Sequence, residues 1–259
     1  MLSNIIKKKI TDYIVIGGGS AGSVLANRIS KANHKVTLLE TGTSGDNIFD
    51  SWKIDMPSAL TYNLGNDKYN WNYLTTPQKN LNNRRIKTPR GKVLGGSSSI
   101  NAMVYIRGHP LDYNRWEEEG ATNWSYKHCL PYFKKAQEHT LGGDLYRGSD
   151  GPLKVTRAEK RNTEEQILSD TFIKAGMEAG YNFTEDMNGF RQEGFGYMDM
   201  TIHNGIRNST KESYLKEPLE NLNILTNTHV RKILTEKNGS DIKAIGVEYY
   251  QNGKIHQLY

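Results

Sequence analysis

The sequence predicts an α/β protein. Three observations support this prediction: a short β-branched strand that ends in glycines, a helix with regular apolar spacing directly after it, and a second buried strand after that helix. Together these elements occupy about thirty residues, the size of a β-α-β unit that binds a dinucleotide. The chain has 259 residues, which is long enough to bury a sizeable core.

The first strand is read from "DYIVIGGG", which begins at Asp12. The segment "SAGSVLANRISK" follows it, with apolar residues at Ala21, Val24, Leu25 and Ile29, and this spacing predicts a helix. The run "HKVTLLE" at 34–40 predicts the second strand. Strand, helix and strand in this order indicate a domain of the Rossmann type.

A glycine motif lies between the first strand and the helix. Gly17, Gly19 and Gly22 form G-x-G-x-x-G. Gly17 permits a tight turn, Gly19 lets the backbone approach a pyrophosphate, and Gly22 lets the helix pack closely on the strand. Because a helix N-terminus presents free N–H groups to phosphate, we predict that these glycines bind a pyrophosphate together with Ser20 and Ala21.

An acidic residue, Glu40, closes the second strand, where it would bind the ribose hydroxyls of an adenosine and repel a 2′-phosphate. The glycine segment has another interpretation, because Gly18, Ser20 and Gly22 spell the G-x-S-x-G elbow of α/β-hydrolases. That elbow needs earlier strands and an upstream oxyanion loop, whereas this motif follows the first strand. A dinucleotide site is therefore favoured, and a hydrolase or an NAD-linked Rossmann dehydrogenase remains an alternative.

The rest of the chain gives weaker signals of secondary structure. Residues 41–90 predict loops and short helices. Further patterns predict helices at 110–120 and 125–139, a strand in "GPLKVTRA", and a helix at 164–180 that Thr163 and Gln166 would cap. Asn-Gly pairs at 238 and 252 separate β-rich runs in the tail, which is typical of hairpins.

Composition excludes several classes of function. The net charge is +6, but the basic residues are dispersed among the acids, so no nucleic-acid partner is predicted. Cys129 is the single cysteine, which excludes an intrachain disulfide and a zinc knuckle, and we predict no metal site. No run reaches the roughly 18 apolar residues of a membrane span. We therefore expect a cytoplasmic protein without a transmembrane segment, and leave peripheral membrane association open.

One long segment resembles a known family. "RGKVLGGSSSINAMVYIRGHPLDYNRWEEEG" at 90–120 resembles the first signature of the glucose-methanol-choline (GMC) flavoprotein oxidoreductases, most closely that of the choline dehydrogenase-like members. "VTLLETG" and the glycine motif are similar to the N-terminal FAD motif of this family, and "HNGIRNSTKESYL" at 203–215 is similar to its G-x-R-x-S segment. The resemblance covers essentially the whole chain.

The resemblance implies an FAD cofactor and a set of contacts to it. The signature loop is rich in Gly and Ser, so its backbone can approach the flavin closely. Its N–H groups would face the cofactor as a nest of N–H groups faces an anion. The implied contacts are Val93, Gly95, Gly96, Ser97, Asn101, Ala102, Met103, Val104 and Val230. Some family members attach the flavin through a His directly before the Asn, and this chain has Ile100 there, so we predict non-covalent FAD.

The resemblance also implies FAD-dependent oxidation of a primary alcohol, with choline as the first candidate and hydride transfer to the flavin. The C-terminal His that serves as base in the family has no counterpart, so no catalytic residue is assigned. His109 and His203 are the nearest substitutes, and His109 is better explained as a helix-entry residue. The activity of this chain alone is therefore in question.

We expect a discontinuous FAD-binding domain at 11–157 and 200–259, with 158–199 as the start of an incomplete substrate domain. We expect that the substrate domain is incomplete because the sequence is truncated, either as a fragment or as the product of a split or decayed gene. Two alternatives to truncation stay open. A second polypeptide would supply the C-terminal half, or the chain would be a flavin-binding module without chemistry.

Overall fold

The computed structural model describes residues 11–157, 164–217 and 219–259. The strands are β1 Tyr13–Ile16, β2 Val36–Leu39, β3 Tyr73–Leu74, β4 Lys87–Thr88, β5 Val104–Tyr105, β6 Gln137–His139, β7 Leu153–Arg157, β8 Asp199–Met200, β9 Ile202–His203, β10 Ile206–Arg207, β11 Leu222–Leu225, β12 His229–Asn238, β13 Asp241–Gln251 and β14 Lys254–Leu258. The helices are α1 Ser20–Lys31, α2 Ile48–Asp55, α3 Leu60–Leu64, α4 Pro110–Glu118, α5 Tyr126–Ala136, α6 Glu164–Glu178 and α7 Thr210–Tyr214. The predicted cap residue Thr163 lies outside the described residues.

The described residues form two compact units. Unit one consists of the residues up to Asn101 together with Ser209–Tyr259, and unit two is Ala102–Asn208. The sequence-based division groups 102–157 with the nucleotide-binding part, whereas the compact units group these residues with 164–199. The division into functional domains stays a prediction.

Unit one contains the predicted β-α-β element. Strands β1, β2 and β11 form a parallel sheet with β2 in the centre, and Ile14 pairs with Thr37 in the same register that pairs Asn223 with Thr37. All four residues of β2 are buried, as expected for the central strand of a parallel sheet. The predicted α/β class is confirmed.

Helix α1 packs on this sheet through small side chains. Its buried residues are Gly22, Ser23, Ala26, Asn27 and Ser30, whereas Leu25 is exposed. Small residues let the helix axis approach the strands closely, and the Asn27 side chain then donates a hydrogen bond of 2.7 Å to the Tyr214 carbonyl. The apolar spacing therefore predicts the helix correctly; Val24 and Ile29 pack partly buried against the core, whereas Leu25 does not.

The tail forms the predicted hairpins. Strands β12, β13 and β14 are an antiparallel meander, and its buried residues pack with Leu39. Asn252 and Gly253 form the second turn with φ values of 50° and 77°. Two successive positive φ values define the hairpin turn that Asn-Gly favours.

Unit two is built around a mixed sheet in the order β5-β8-β7-β6. Helix α5 ends at Ala136, three residues before the predicted end, and the chain continues as β6 parallel to β7. The physical reason is Gln137, whose buried side-chain oxygen accepts hydrogen bonds from the Arg107 guanidinium at 2.8 Å and the Gly148 N–H at 3.0 Å. These bonds fix an extended conformation that a helical pattern does not predict.

Candidate nucleotide-binding cleft

A cleft of about 550 Å³ opens in unit one at the carboxyl ends of β1 and β2. This edge of a parallel sheet is where α/β proteins bind ligands. The predicted residues that line it are Gly17, Gly19, Ser20, Ala21, Gly22, Glu40, Gly96, Ser97 and Val230. Residues from four separate parts of the sequence therefore meet in one cleft.

The first glycine segment forms a tight turn into α1. Gly17 has a φ of 92°, and its N–H donates a hydrogen bond of 2.8 Å to the Leu39 carbonyl. A Cβ atom at Gly22 would lie 1.9 Å from the Gly17 carbonyl oxygen. The first turn of α1 contains no acidic residue, so the positive end of the helix dipole is not neutralised by a carboxylate of the helix itself.

The second glycine segment packs directly on the first. Gly95 and Gly96 have φ values of 89° and 56°, and the Gly95 N–H donates a hydrogen bond of 2.7 Å to the Gly18 carbonyl. A Cβ atom at Gly96 would lie 2.6 Å from the Gly19 Cα atom. A side chain at Gly96 would push the two loops apart, and glycine there keeps them in contact.

Glu40 is 5% exposed and connects the glycine turn after β1 with the segment that follows β2. Its carboxylate accepts hydrogen bonds of 2.8 Å from the Gly18 N–H and the Gly42 N–H. Burial raises the pKa of Glu40 above its usual value, and the hydrogen bonds from Gly42, Gly18 and Thr41 offset part of that increase. Each carboxylate oxygen has a second lone pair, so Glu40 can hold the loops and still accept from a ligand hydroxyl.

Another part of the cleft lining, here called the aromatic wall, is aromatic and basic, and the sequence did not predict it. Trp71 stacks on Tyr73 with ring centroids 5.8 Å apart, and His229 lies 6.2 Å from Trp71. Arg90 also lines the cleft. The available signal was the aromatic run "YNWNY" before the signature, within a region interpreted only as loops and short helices.

The other predicted contacts do not line the cleft. Val93 is fully buried in a cluster with Ile54, Tyr69 and Ile100. Asn101 is exposed in unit one, and its N–H donates to the Ser97 carbonyl at 2.9 Å. Ala102, Met103 and Val104 belong to unit two, where the Met103 carbonyl accepts from the Thr201 N–H at 2.7 Å. Their roles stay predictions.

His109 is the N-cap of α4, and its ring nitrogen Nδ1 accepts from the Leu111 N–H at 3.2 Å, which confirms the helix-entry interpretation. Within the described residues, no group of three or more His, Cys, Asp or Glu side chains is arranged to hold a metal ion. In the same part of the chain, no helix combines the length and apolar character needed to cross a bilayer.

The fold and the cleft define an α/β protein with a dinucleotide-binding site of the Rossmann type. Residues 11–259 match the family described as GMC oxidoreductase. The chain belongs to this family of oxidoreductases, as the signature at 90–120 predicts. Family membership therefore favours an oxidoreductase. It disfavours the alternative in which Gly18, Ser20 and Gly22 form the nucleophile elbow of a hydrolase.

Two similar proteins are named as choline dehydrogenases. Over 254 residues the chain is 52% identical to a mitochondrial choline dehydrogenase of Mus musculus, covering 95% of this chain and 41% of the relative. It is 47% identical to an oxygen-dependent choline dehydrogenase of Photobacterium profundum, covering 96% of this chain and 42% of that protein. The chain thus spans about two fifths of the length of these relatives.

Solved structures agree. A pyridoxine 4-oxidase from Mesorbium loti has a TM-score of 0.86 at 31% identity, covering 96% of this chain and 48% of the other. An FAD-dependent oxidoreductase from Chaetomium thermophilum has a TM-score of 0.81 at 27% identity, covering 96% of this chain and 44% of the other. The family and its FAD-dependent neighbours support FAD as the cofactor, which confirms the predicted cofactor.

Proposed function

We propose that this chain binds FAD non-covalently and is the cofactor-binding part of an oxidoreductase that acts on the CH–OH group of primary alcohols, with choline as the first candidate. The observation that carries the proposal is the contact between the two glycine segments, Gly17–Gly22 and Gly95–Gly96, at the N-terminus of α1. The resulting cradle presents backbone rather than side chains, which suits a pyrophosphate.

The lining of the cleft fits the ADP half of FAD. The N–H groups at Gly19–Gly22 would bind the pyrophosphate, and Arg90 supplies a cation to the lining of the same cleft. Glu40 would accept from the ribose hydroxyls. Val230 and the ring of Trp71 offer apolar and aromatic surface for the adenine.

When bound, FAD supplies the acceptor for the hydride of the alcohol. The residues of this chain bind and orient that cofactor, and none of them is assigned as the base. Choline is the first candidate because relatives that are about half identical over 95% of the chain are choline dehydrogenases. The remaining three fifths of the relatives' length have no counterpart in this chain, so their part in substrate binding is not assigned here.

The binding proposal is tested by purifying the chain, adding FAD and recording the visible spectrum after gel filtration. We expect the flavin absorbance band to elute with the protein. Anaerobic addition of choline, with 1-propanol as a second alcohol, tests the reaction, because a reduced flavin bleaches. A bound flavin that neither alcohol bleaches would favour a non-catalytic flavin-binding module. A folded chain that takes up NAD and no FAD would overturn the proposal.

Non-covalent attachment gives a separate prediction. Ile100 is 2% exposed and packs with Ile54, Tyr69 and Val93, and its aliphatic side chain has no atom that could bond to a flavin. We expect acid precipitation of the FAD complex to release all of the yellow colour into the supernatant. Flavin fluorescence that stays with the denatured polypeptide on a gel would contradict this.

Replacement of Glu40 by Gln tests the nucleotide site. The carboxylate accepts from two N–H groups, whereas an amide would turn its NH₂ group toward one of these donors. We expect FAD to bind about tenfold to a hundredfold more weakly, because a backbone donor loses its partner and the ribose loses an acceptor. Flavin titration by fluorescence measures this, with the exposed Glu118→Gln as the matched control.

A further inference from the structure

A buried carboxylate with several donors lies close in sequence and space to the aromatic wall of the cleft, and its cationic partner Lys68 is half exposed. Asp50, in α2, is 1% exposed. Its carboxylate accepts hydrogen bonds of 2.5 Å from the Lys68 ammonium and the Asn47 side-chain amide, and a further one from the Tyr69 hydroxyl. Burial by itself would raise the pKa of Asp50, but the bonds from Lys68, Tyr69 and Asn47 hold that pKa below its usual value. Asp50 is therefore a carboxylate with three donors.

Tyr69 connects this network to the backbone of the cleft. Its side chain is fully buried against Ile54, Val93 and Ile100, and its carbonyl accepts from the Lys92 N–H at 2.7 Å. Two residues later, the Trp71 N–H donates to the Arg90 carbonyl at 2.9 Å. The segment 69–71 is thus paired with 90–92.

Asn70 strengthens the same pairing. Its side-chain oxygen accepts from the Arg90 N–H at 2.9 Å, and its amide donates to the Leu64 carbonyl at 2.8 Å. Gly91, which lines the cleft beside Arg90, packs so closely on the second glycine segment that a Cβ atom there would lie 2.2 Å from the Gly96 carbonyl carbon. A movement of Tyr69 would therefore be transmitted to Trp71, to Arg90 and to Gly96.

We infer that Asp50 and Tyr69 form a positioning pair that fixes the aromatic wall of the FAD cleft, although neither side chain lines that cleft. This inference rests on the proposed function. The bond from the Tyr69 hydroxyl to the buried Asp50 carboxylate fixes where the 69–71 segment lies. That segment in turn fixes Trp71 directly and Arg90 through its backbone pairing. The pair acts on cofactor affinity through these residues.

The first test is the Tyr69→Phe variant, which keeps the packing of the ring and removes the bond to Asp50. We expect the FAD dissociation constant to rise about tenfold, because the wall is then no longer held in its binding position before FAD enters. The Ile54→Val variant is the control, because it weakens the same apolar cluster without touching the hydroxyl. At a temperature where both variants are folded, an unchanged affinity in Tyr69→Phe would overturn the inference.

A double-mutant cycle with Trp71→Phe tests the route. If Tyr69 acts through Trp71, the two substitutions together weaken FAD binding by much less than the product of their separate effects. Independent effects that multiply would overturn this route. If the wild-type chain binds no FAD, the proposed function fails instead.

A measurement without cofactor separates these outcomes. Hydrogen exchange of the cofactor-free chain reports the amides of Trp71 and Lys92 directly. In Tyr69→Phe we expect both to exchange about tenfold faster. The amide of Leu94, which donates to the Thr43 carbonyl at 3.0 Å, is expected to keep its protection. Equal protection of Trp71 and Lys92 in both proteins would show that Tyr69 does not position the wall.

Discussion

Replacement of Gly22 by alanine is expected to destabilise unit one by about 3 kcal/mol or more and to abolish FAD binding. The added methyl group would meet the Gly17 carbonyl oxygen at 1.9 Å, well inside van der Waals contact. Neither residue can move easily. The hydrogen bond from its N–H to the Leu39 carbonyl holds Gly17, and Gly22 lies in the first turn of α1. The clash can be relieved only by moving α1 away from β1, which opens the phosphate cradle.

Urea unfolding of the purified variant measures the loss of stability, and fluorescence titration measures the affinity for FAD. Gly65→Ala is the matched control, because Gly65 ends α3 with a φ of −106° and a Cβ atom there would meet nothing within 4 Å. That control is expected to change stability by no more than about 0.5 kcal/mol. A stable Gly22→Ala variant with the affinity of the wild type would show that close packing of α1 on β1 is not needed for the site.

The two glycine segments illustrate what the sequence could predict about the site. Gly17, Gly19 and Gly22 follow a strand and open a helix, so local pattern is sufficient to assign them. Gly95 and Gly96 are recognisable from the family signature. Their contact with Gly19 spans more than seventy positions in the sequence and arises from tertiary packing, which local patterns do not encode.

The aromatic wall shows the opposite case. Trp71 and Tyr73 lie in a region without periodicity, and they reach the cleft because Tyr69 is anchored on Asp50, about twenty residues earlier. Such a side-chain network leaves no regular spacing in the sequence. Helix α1 is predicted by its apolar spacing, but its fully buried residues are the small ones, and the apolar Leu25 stays exposed.

The buried Asp199 of unit two gives the second large effect. It is 2% exposed in β8, and it accepts from the Arg157 Nε–H at 2.9 Å and from the Asn188 amide at 3.3 Å. His139 Nε2 lies 3.1 Å from the same carboxylate. Burial alone would raise the pKa of Asp199, but contacts with His139 and Arg157 outweigh this and hold the pKa below its usual value.

Asp199→Asn is expected to reduce the free energy of unfolding at pH 7 by about 2–4 kcal/mol, because the buried Arg157 cation loses its partner at 2.9 Å and keeps the more distant Asp186 carboxylate at 3.6 Å. The penalty is expected to depend on pH. A carboxyl group with a depressed pKa in the folded state contributes its full stability above the unfolded pKa of about 3.9. That contribution is lost as the pH falls through the lower, folded pKa.

Urea unfolding of the whole chain at a series of pH values measures both the loss of stability and its dependence on pH. From about pH 4 downward the wild type is expected to lose up to about 1.4 kcal/mol per pH unit through Asp199, and the variant lacks this loss. The two stability curves should therefore converge in acid. Asp150→Asn, which replaces an exposed acid in the same unit, is the control. Its free energy of unfolding should stay close to that of the wild type at every pH. The two proteins could instead differ in free energy of unfolding by the same amount at every pH, including below pH 4. That result would mean that the ionised Asp199 carboxylate is not what stabilises Arg157.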